Sequence, residues 1–576
     1  MIIDFSFNGK INFQYSRLYN RIALDIQKPF IELIDFVSKQ HKRSIDWWVS
    51  SPASRNIFGS SLFHYCCCLT LLQELIRERD PINDIVTDSK AFKQIIESYL
   101  TKQRLDARVT LAPLSAKQRL KNLFRPIYLI FALPLQHLLL FLIARRTRYL
   151  CQPLKSEPLT LIDTFVSPGY IEKDRYYPGV LLPLSKEVKE KVIFVPHLYG
   201  FRPWQYLQVV KRLRKSERNF LLKDDFLKFR DYWCLWRHIF RIRKLQMKPS
   251  FFRRVDISAL MREELTGFRR IGSSYIPLLN FYFVKRLKQA GVNVRLVIDW
   301  FENQDIDKGW NGGFRRFFPD TKTKGYQGFI VSSHYLCMFP TEEEKRNAVI
   351  PHEIMVMGKG LRNSVSRFCP GLDVNVAPAF RFQHTWRERS YWPVANAYTI
   401  LVALPIMVSE GLFILRSLKP ISNGMVDDTK FRIKLHPTVS QSQIRNAFGS
   451  GWPAQFEFVD GDFGKCVEKA HLLISSASSV CMETMVKGIP VIIVGNGYGL
   501  THNPIPEAII DDIWRMCYGQ DEIQRAIQFF KDRSPAKIED HEEVGRRLRK
   551  EYFEAVTEKG IMKFFDLDES LERGYG

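Results

Sequence analysis

Among its ten cysteines the sequence has no CxxC pair and no Cys/His spacing suited to zinc, which excludes the common structural zinc modules. It has neither a GxxxxGK[ST] loop nor an HExxH pair, so no P-loop and no zincin site is expected. No D-x-D pair reads as the holder of a metal-bound diphosphate, and neither a metal nor another cofactor is expected. The N-terminus, MIIDFSFNGK, lacks a basic start leading into an apolar stretch and does not read as a secretory signal. Cys66, Cys67 and Cys68 lie together in an apolar run and read as part of a buried helix, which fits a reducing cytoplasm. No repeat of solenoid period and no long low-complexity tract occurs. Carboxylates are the scarce charge: 61 Asp and Glu stand against 85 Lys and Arg, a formal net charge of +24.

Such an excess calls for an anionic partner, whether lipid, nucleic acid or a phosphorylated substrate. Half of it is concentrated. Between Arg202 and Arg254 there are 16 Lys and Arg against four acidic residues, a net of +12, interleaved with Trp204, Tyr206, Phe220, Trp233, Trp236 and other rings. Basic plus aromatic suits contact with membrane headgroups, and also a single-stranded nucleic-acid platform. The solvated face of an ordinary amphipathic helix pair has the same composition. Residues 126–144 (PIYLIFALPLQHLLLFLIA) run 19 positions without a charge, close to a membrane-spanning length. Both flanks are basic (Lys117, Arg119, Lys121 and Arg125 before, Arg145, Arg146 and Arg148 after), so charge gives no orientation. Pro134 and the pair Gln136-His137 favour a kinked, re-entrant or surface-lying element, with a buried core helix as the plain alternative.

A chain of 576 residues exceeds what one core organises, so two lobes are expected. Short β-rich runs alternate with helical stretches, the pattern of parallel sheets covered by helices on both faces. Strands are predicted at 84–89, 159–166, 191–197, 293–300, 325–332 and 353–358. After an aperiodic stretch at 374–392, read as a linker, a second series follows at 398–404, 431–436, 456–459, 471–474 and 490–494. The N-terminal lobe is placed at 1–385, with the apolar insertion at about 117–150 and the basic-aromatic helical region at 202–254. The C-terminal lobe, with the last helices, is placed at 386–576. Val544, Leu548, Tyr552 and Val556 share one face of the last of these helices.

The most informative residues are Lys434-Leu435-His436-Pro437 and Ser475-Ser476-Ala477-Ser478-Ser479. Each follows a predicted strand, on the carboxyl edge where open α/β sheets bind ligands. The serines also open a predicted helix, and hydroxyls with free N–H groups at such a start suit a phosphate. Lys434 and His436 would reach the same phosphate, and Glu483 is placed for ribose hydroxyls. A serine cluster before a helix is more often only a cap, and His-Pro more often a loop punctuator. The glycines of 495–499 read as a flexible loop beside the nucleotide.

The KLHP and SSASS pairing, followed by Glu483, Gly488-Ile489-Pro490 and Asn503-Pro504, resembles the donor lobe of sialyltransferase-like GT-B enzymes. That group includes capsule and lipopolysaccharide Kdo transferases. The resemblance implies two Rossmann-like lobes with an interlobe cleft, a CMP-activated acid sugar, and metal-independent transfer. The donor lobe of CDP-glycerol polymerases is similar. A second set, Asp46-Trp47-Trp48, SSPASRN at 50–56, Trp300-Phe301-Glu302-Asn303-Gln304 and Gly325-Tyr326-Gln327-Gly328, resembles bacterial surface carbohydrate biosynthesis proteins. It implies Glu302, Gln304, Tyr326 and Gln327 at the interlobe cleft. Glu302, following a strand, could act as base toward an acceptor hydroxyl or position the sugar, with Asp299 as rival.

The expected activity is therefore glycosyl transfer from a nucleotide sugar to a membrane-held surface glycan. The donor would lie on Lys434, His436, Ser475, Ser476, Ser478, Ser479 and Glu483, and the enzyme would sit in the cytoplasm against the inner-membrane surface. The rivals are a glycerophosphotransferase using CDP-glycerol, a nucleic-acid-binding protein built on the basic region, and an inactive scaffold. No nucleic acid is expected as partner, because that rival leaves the KLHP and serine clusters unexplained.

Overall fold

The computed structural model describes residues 2–7, 9–148, 157–387, 397–424, 429–476 and 478–567. Residues 149–150 of the apolar insertion, 388–392 of the expected linker, and Ala477 lie outside the described residues.

Runs such as LTLIDTFV, VIFVPHL and VRLVIDW are apolar on both faces, which only a sheet covered on both sides can bury. Six strands form the first such sheet, all parallel, in the spatial order Asp373–Val376, Glu353–Val356, Lys322–Gln327, Val294–Trp300, Leu159–Val166 and Val192–Leu198. A second parallel sheet has the order Phe456–Val459, Thr429–Lys434, Tyr398–Ala403, Leu472–Ser475, Val491–Val494 and Trp514–Cys517. In each sheet the chain winds one way and then the other. The reversal falls between Leu159–Val166 and Val294–Trp300 in the first, and between Tyr398–Ala403 and Leu472–Ser475 in the second. These are the two expected Rossmann-like lobes, each a doubly wound parallel sheet, and ligands of such sheets gather at the carboxyl edge beside the reversal.

Four readings change. The strand expected at 84–89 does not belong to the first lobe's sheet; Asp84–Thr87 is the centre of a separate three-stranded parallel sheet between Ile2–Asp4 and Arg108–Leu111. The stretch read as a linker from 374 begins with an edge strand of the first sheet, Asp373–Val376, too short to show a period. The terminal helix Glu558–Phe564, expected with the C-terminal lobe, packs against the first sheet instead: Ile561, Met562, Phe564 and Phe565 join Ile162, Trp300 and Tyr326 in one core. The chain returns across the lobes at Glu554, whose N–H donates to Met357 O (2.7 Å) and whose C=O accepts from Ala379 N–H (2.9 Å). Finally, the charge of 202–254 is partly internal, with Arg214 paired to Asp225 (2.6 Å), Arg218 to Asp174 (2.5 Å) and Arg241 to Asp46 (2.8 Å).

The run 126–144 lies inside 31 residues of continuous helix, Ala116–Arg146. One π turn, Tyr128–Ala132, immediately precedes the segment carrying Pro134, whose ring and missing N–H disturb a regular preceding turn. The helix is long and apolar enough to cross a membrane, and it is not a core helix. Its first twelve residues bury nothing. Residues on both sides of it share one folded body, since Ile11 N–H donates to Tyr498 O (2.9 Å) and Asn20 Nδ2 to Gly499 O (3.0 Å).

Candidate functional site

Glu302 follows Val294–Trp300 at the reversal point of the first sheet. Asn303 beside it takes the left-handed φ of +52°, which turns the chain sharply out of the strand. The half-buried Glu302 carboxylate is held at both oxygens: Trp300 Nε1 donates to Oε1 (3.0 Å) and Gln304 Nε2 to Oε2 (2.5 Å). Gln304 is itself fixed by Asn56 Nδ2 (2.9 Å to its Oε1), which joins the 50–56 motif to this edge. Burial pushes the Glu302 carboxyl above its ordinary value, partly offset by those two donors and by Arg381. The D-x-D spacing Asp305-Ile306-Asp307 lies here, but Asp307 Oδ2 accepts from the N–H groups of Glu302 (3.1 Å) and Gln304 (2.9 Å), a capping bond at the start of its own helix, Asp305–Phe317. Among the described residues no group of three or more His, Cys, Asp and Glu is set to hold a metal ion.

Tyr326 and Gln327 depart from expectation. Tyr326 is fully buried in an aromatic core and donates to Pro378 O (2.7 Å); Gln327 is buried and donates to Met338 O (2.9 Å). The flanking glycines serve packing, since a Cβ at Gly325 would lie 2.7 Å from Phe301 and one at Gly328 2.5 Å from Tyr326.

Across the cleft, Lys434 ends its strand with an ammonium that has no ion pair or hydrogen bond among the described residues. His436 is half-buried; its Nδ1 accepts from Thr438 N–H (3.3 Å) and lies 2.7 Å from Thr438 Oγ1, which leaves Nε2 for a ligand. Burial lowers its imidazole from the usual value, and so does the nearby Arg175 of the first lobe. The serines divide. Ser475 is fully buried and donates to Ala403 O (2.7 Å), so its hydroxyl ties two strands together. Ser476 donates to Glu410 Oε2 (3.4 Å) and Ser479 to Glu483 Oε1 (3.1 Å). Ser478 N–H donates to Ser476 O (2.7 Å). The helix they open, Val480–Met485, has only six residues and a correspondingly small dipole. Glu483, far from free for a ribose, lies 2.8 Å from His384 Nε2. The 495–499 loop is fastened, not loose: Asn496 N–H donates to Thr501 Oγ1 (2.9 Å), and Thr501 N–H to Asn20 Oδ1 (2.6 Å).

The structure adds residues that the sequence reading missed. Arg381, in the short helix Phe380–Trp386, stacks on Trp300 and Phe382 (5.7 Å to each ring) and lies in electrostatic reach of both Glu302 and Glu483. It has no ion pair among the described residues. Burial pulls its guanidinium below the ordinary value, and the next largest cause is a second cation, Arg175. Arg175 also faces His436. Tyr335, pushed by burial up to about 12, senses Glu410 of the second lobe and Glu302 of the first. Arg175 therefore lies within electrostatic reach of both Arg381 and His436, the latter in the second lobe. Only the aperiodicity of 374–392 hinted at Arg381, and nothing singled out Arg175.

A different polar cluster lies beneath the first sheet. Asp163, His197 and Asp299 occupy inward positions of strands, with His197 against Asp163 and 2.8 Å from Lys223 Nζ. Lys223 also donates to Asn280 (2.6 Å), and burial draws its ammonium down to about 8. Polar residues inside otherwise apolar strands were the available signal. An open cavity of about 470 Å³ lined by Gln94, Tyr99, Arg253 and Asp256 shares no residue with the cleft.

No protein-family model matches the chain, and neither does any curated protein. Solved structures similar to it include trehalose 6-phosphate synthase from Burkholderia multivorans (10% identity, 73% of this chain and 99% of that one, TM-score 0.41). Others are UDP-GlcNAc 2-epimerase from Neisseria meningitidis bound to UDP-GlcNAc (12%, 71% and 99%, 0.42) and MurG of Acinetobacter baumannii (10%, 71% and 99%, 0.37).

Proposed function

We propose that the chain is a glycosyltransferase that moves a sugar from a nucleotide donor to an acceptor hydroxyl across this cleft. The observation that carries the reading is the placement of Arg381 over Trp300, next to Glu302, with Arg175 in electrostatic reach of both Arg381 and His436. Like charges held together in a partly desolvated place are stabilised by an anion between them, and a nucleotide phosphate supplies one. In the reaction the bond from the anomeric carbon to the donor phosphate oxygen breaks, and a bond from that carbon to the acceptor oxygen forms. The acceptor proton passes to Glu302, a carboxylate fixed by Trp300 and Gln304. The nucleotide leaves with its negative charge against the guanidiniums, Lys434 and the Nε2 edge of His436.

A CMP-linked acid sugar, as in capsule or lipopolysaccharide synthesis, is the preferred donor. Its carboxylate and single phosphate present two anions to a site with several cations, and the KLHP and serine motifs resemble those of enzymes using such donors. CDP-glycerol would offer a diphosphate and no sugar. Thermal shift with CMP, CDP, UMP and UDP tests the reading, because a ligand that binds only the folded chain raises its stability. Stabilisation by the cytidine nucleotides that Arg381→Ala abolishes is expected. Indifference to all four nucleotides would remove the donor site, and a preference for UDP would overturn the CMP assignment.

A further inference from the structure

The helix Ala116–Arg146 is left half-dressed by the fold. One side of its second half is covered: Pro134 and Ala144 are buried, Phe141 packs edge-on against Tyr232 (5.4 Å), and Leu140 and Ile143 meet Val209 and Leu213. The other side is a stripe of large apolar side chains at i, i+3, i+4 spacing from Leu120 to Leu142, with Leu123, Phe131 and Leu135 exposed at 68%, 67% and 65%. At 1.5 Å per residue the 31-residue helix is about 46 Å long. Large exposed apolar stripes of this kind mark interaction surfaces.

Its charge identifies the occupant. From 107 to 156 the chain has nine Lys and Arg and no Asp or Glu. The cations cluster at both ends of the stripe, Lys117 to Arg125 and Arg145 to Arg148. A second copy laid on this face would set like charges together. A nucleic acid would meet the cations but leave the Leu and Ile stripe against water or phosphate. A bilayer with anionic headgroups satisfies both parts, because the stripe enters the acyl boundary while the cations at each end stay among the headgroups. The two helices packed against this one carry exposed rings as well, Phe229 and Trp233 on Phe229–Trp236, and Trp204 just before Tyr206–Arg214.

We propose that Ala116–Arg146 is an in-plane membrane anchor, lying along the surface of an anionic bilayer with its covered side fixed to the first lobe. The proposal does not depend on the donor reading. The test is flotation of the full chain with phosphatidylcholine vesicles, with and without phosphatidylglycerol, at rising salt. Salt-sensitive binding that requires the anionic lipid is expected, and Phe131→Asp with Leu135→Asp should weaken it about tenfold or more. Both side chains face solvent, so the melting temperature should not move. Lys117→Glu with Lys121→Glu is the second variant and should weaken binding and flatten its salt dependence. Equal binding to neutral vesicles, or binding that neither variant changes, would overturn the proposal. So would a dimer in light scattering that Phe131→Asp dissolves while the wild-type chain ignores vesicles.

Discussion

At the residue scale the cleft separates two duties that the sequence had merged. Glu302 is gripped by two donors and aimed, which suits proton transfer; Arg381 and Arg175 have no ion pair among the described residues, which suits an anion. Glu302→Gln should therefore lower kcat by about a hundredfold or more with little change in donor KM. It should also erase the acid limb of the pH profile, a limb set above the ordinary glutamate range because burial raises this carboxyl. Arg381→Ala should act chiefly on donor KM, by about tenfold to a hundredfold, the worth of a charge-assisted hydrogen bond of about 1.5–3 kcal/mol. Away from the cleft, buried Asp224 is raised by burial to about 6 while accepting from Tyr232 Oη (2.5 Å). In the unfolded chain the same carboxyl ionises near 4. As pH rises from about 4 to about 6 the unfolded state sheds its proton first, so stability falls across that window. Asp224→Asn, which keeps an acceptor for Tyr232, should raise the melting temperature at pH 7.5 and leave it unchanged near pH 4.

At the scale of elements, the approach of the C-terminal helices to the first lobe is set by one glycine. A Cβ at Gly358 would lie 2.3 Å from the backbone carbon of Tyr552. Backbone cannot step aside as a flexible side chain does, so Gly358→Ala should cost about 1–3 kcal/mol, read as a lower urea midpoint. Most strands of both large sheets were legible because runs buried on both faces are largely apolar, and Leu159–Val166 matches residue for residue; the edge strand Phe456–Val459 matches as well, its two rings flanking exposed Glu457. Strands Asp373–Val376 and Trp514–Cys517 were not: each is only four residues long, and neither carries a continuous apolar run to set it apart from the loops around it. The reading of the site had the same bias. It weighted motif residues at strand ends, and Glu302 and His436 do lie just past the ends of their strands. It could not see that Ser475 spends its hydroxyl on Ala403, because such a bond depends on which strand lies alongside. Arg175 was invisible because its relevance arises only when the first lobe faces His436 of the second.

At the scale of the molecule, the two lobes are not independent bodies. One core contains Phe301, Ile354 and Val356 of the first lobe together with Leu401, Leu473 and Val491 of the second, joined by Leu548, Tyr552 and Phe553. The N-terminal module grips the second lobe through Asn20 and Thr501, and the last helix fills the first lobe with Phe564 and Phe565. Cores shared in this way couple stabilities, because exposing either lobe exposes apolar surface of the other. Phe564→Ala removes a fully buried ring and should cost about 3–5 kcal/mol. The loss should be seen in both lobes. Hydrogen exchange under mild denaturant should show strands Leu159–Val166 and Leu472–Ser475 losing protection together, in one transition, although Phe564 touches only the first. If the second sheet kept its protection while the first melted, the lobes would be separate folding units. The cleft residues would then be held by hinge geometry alone, and donor binding would have to order them at its own expense.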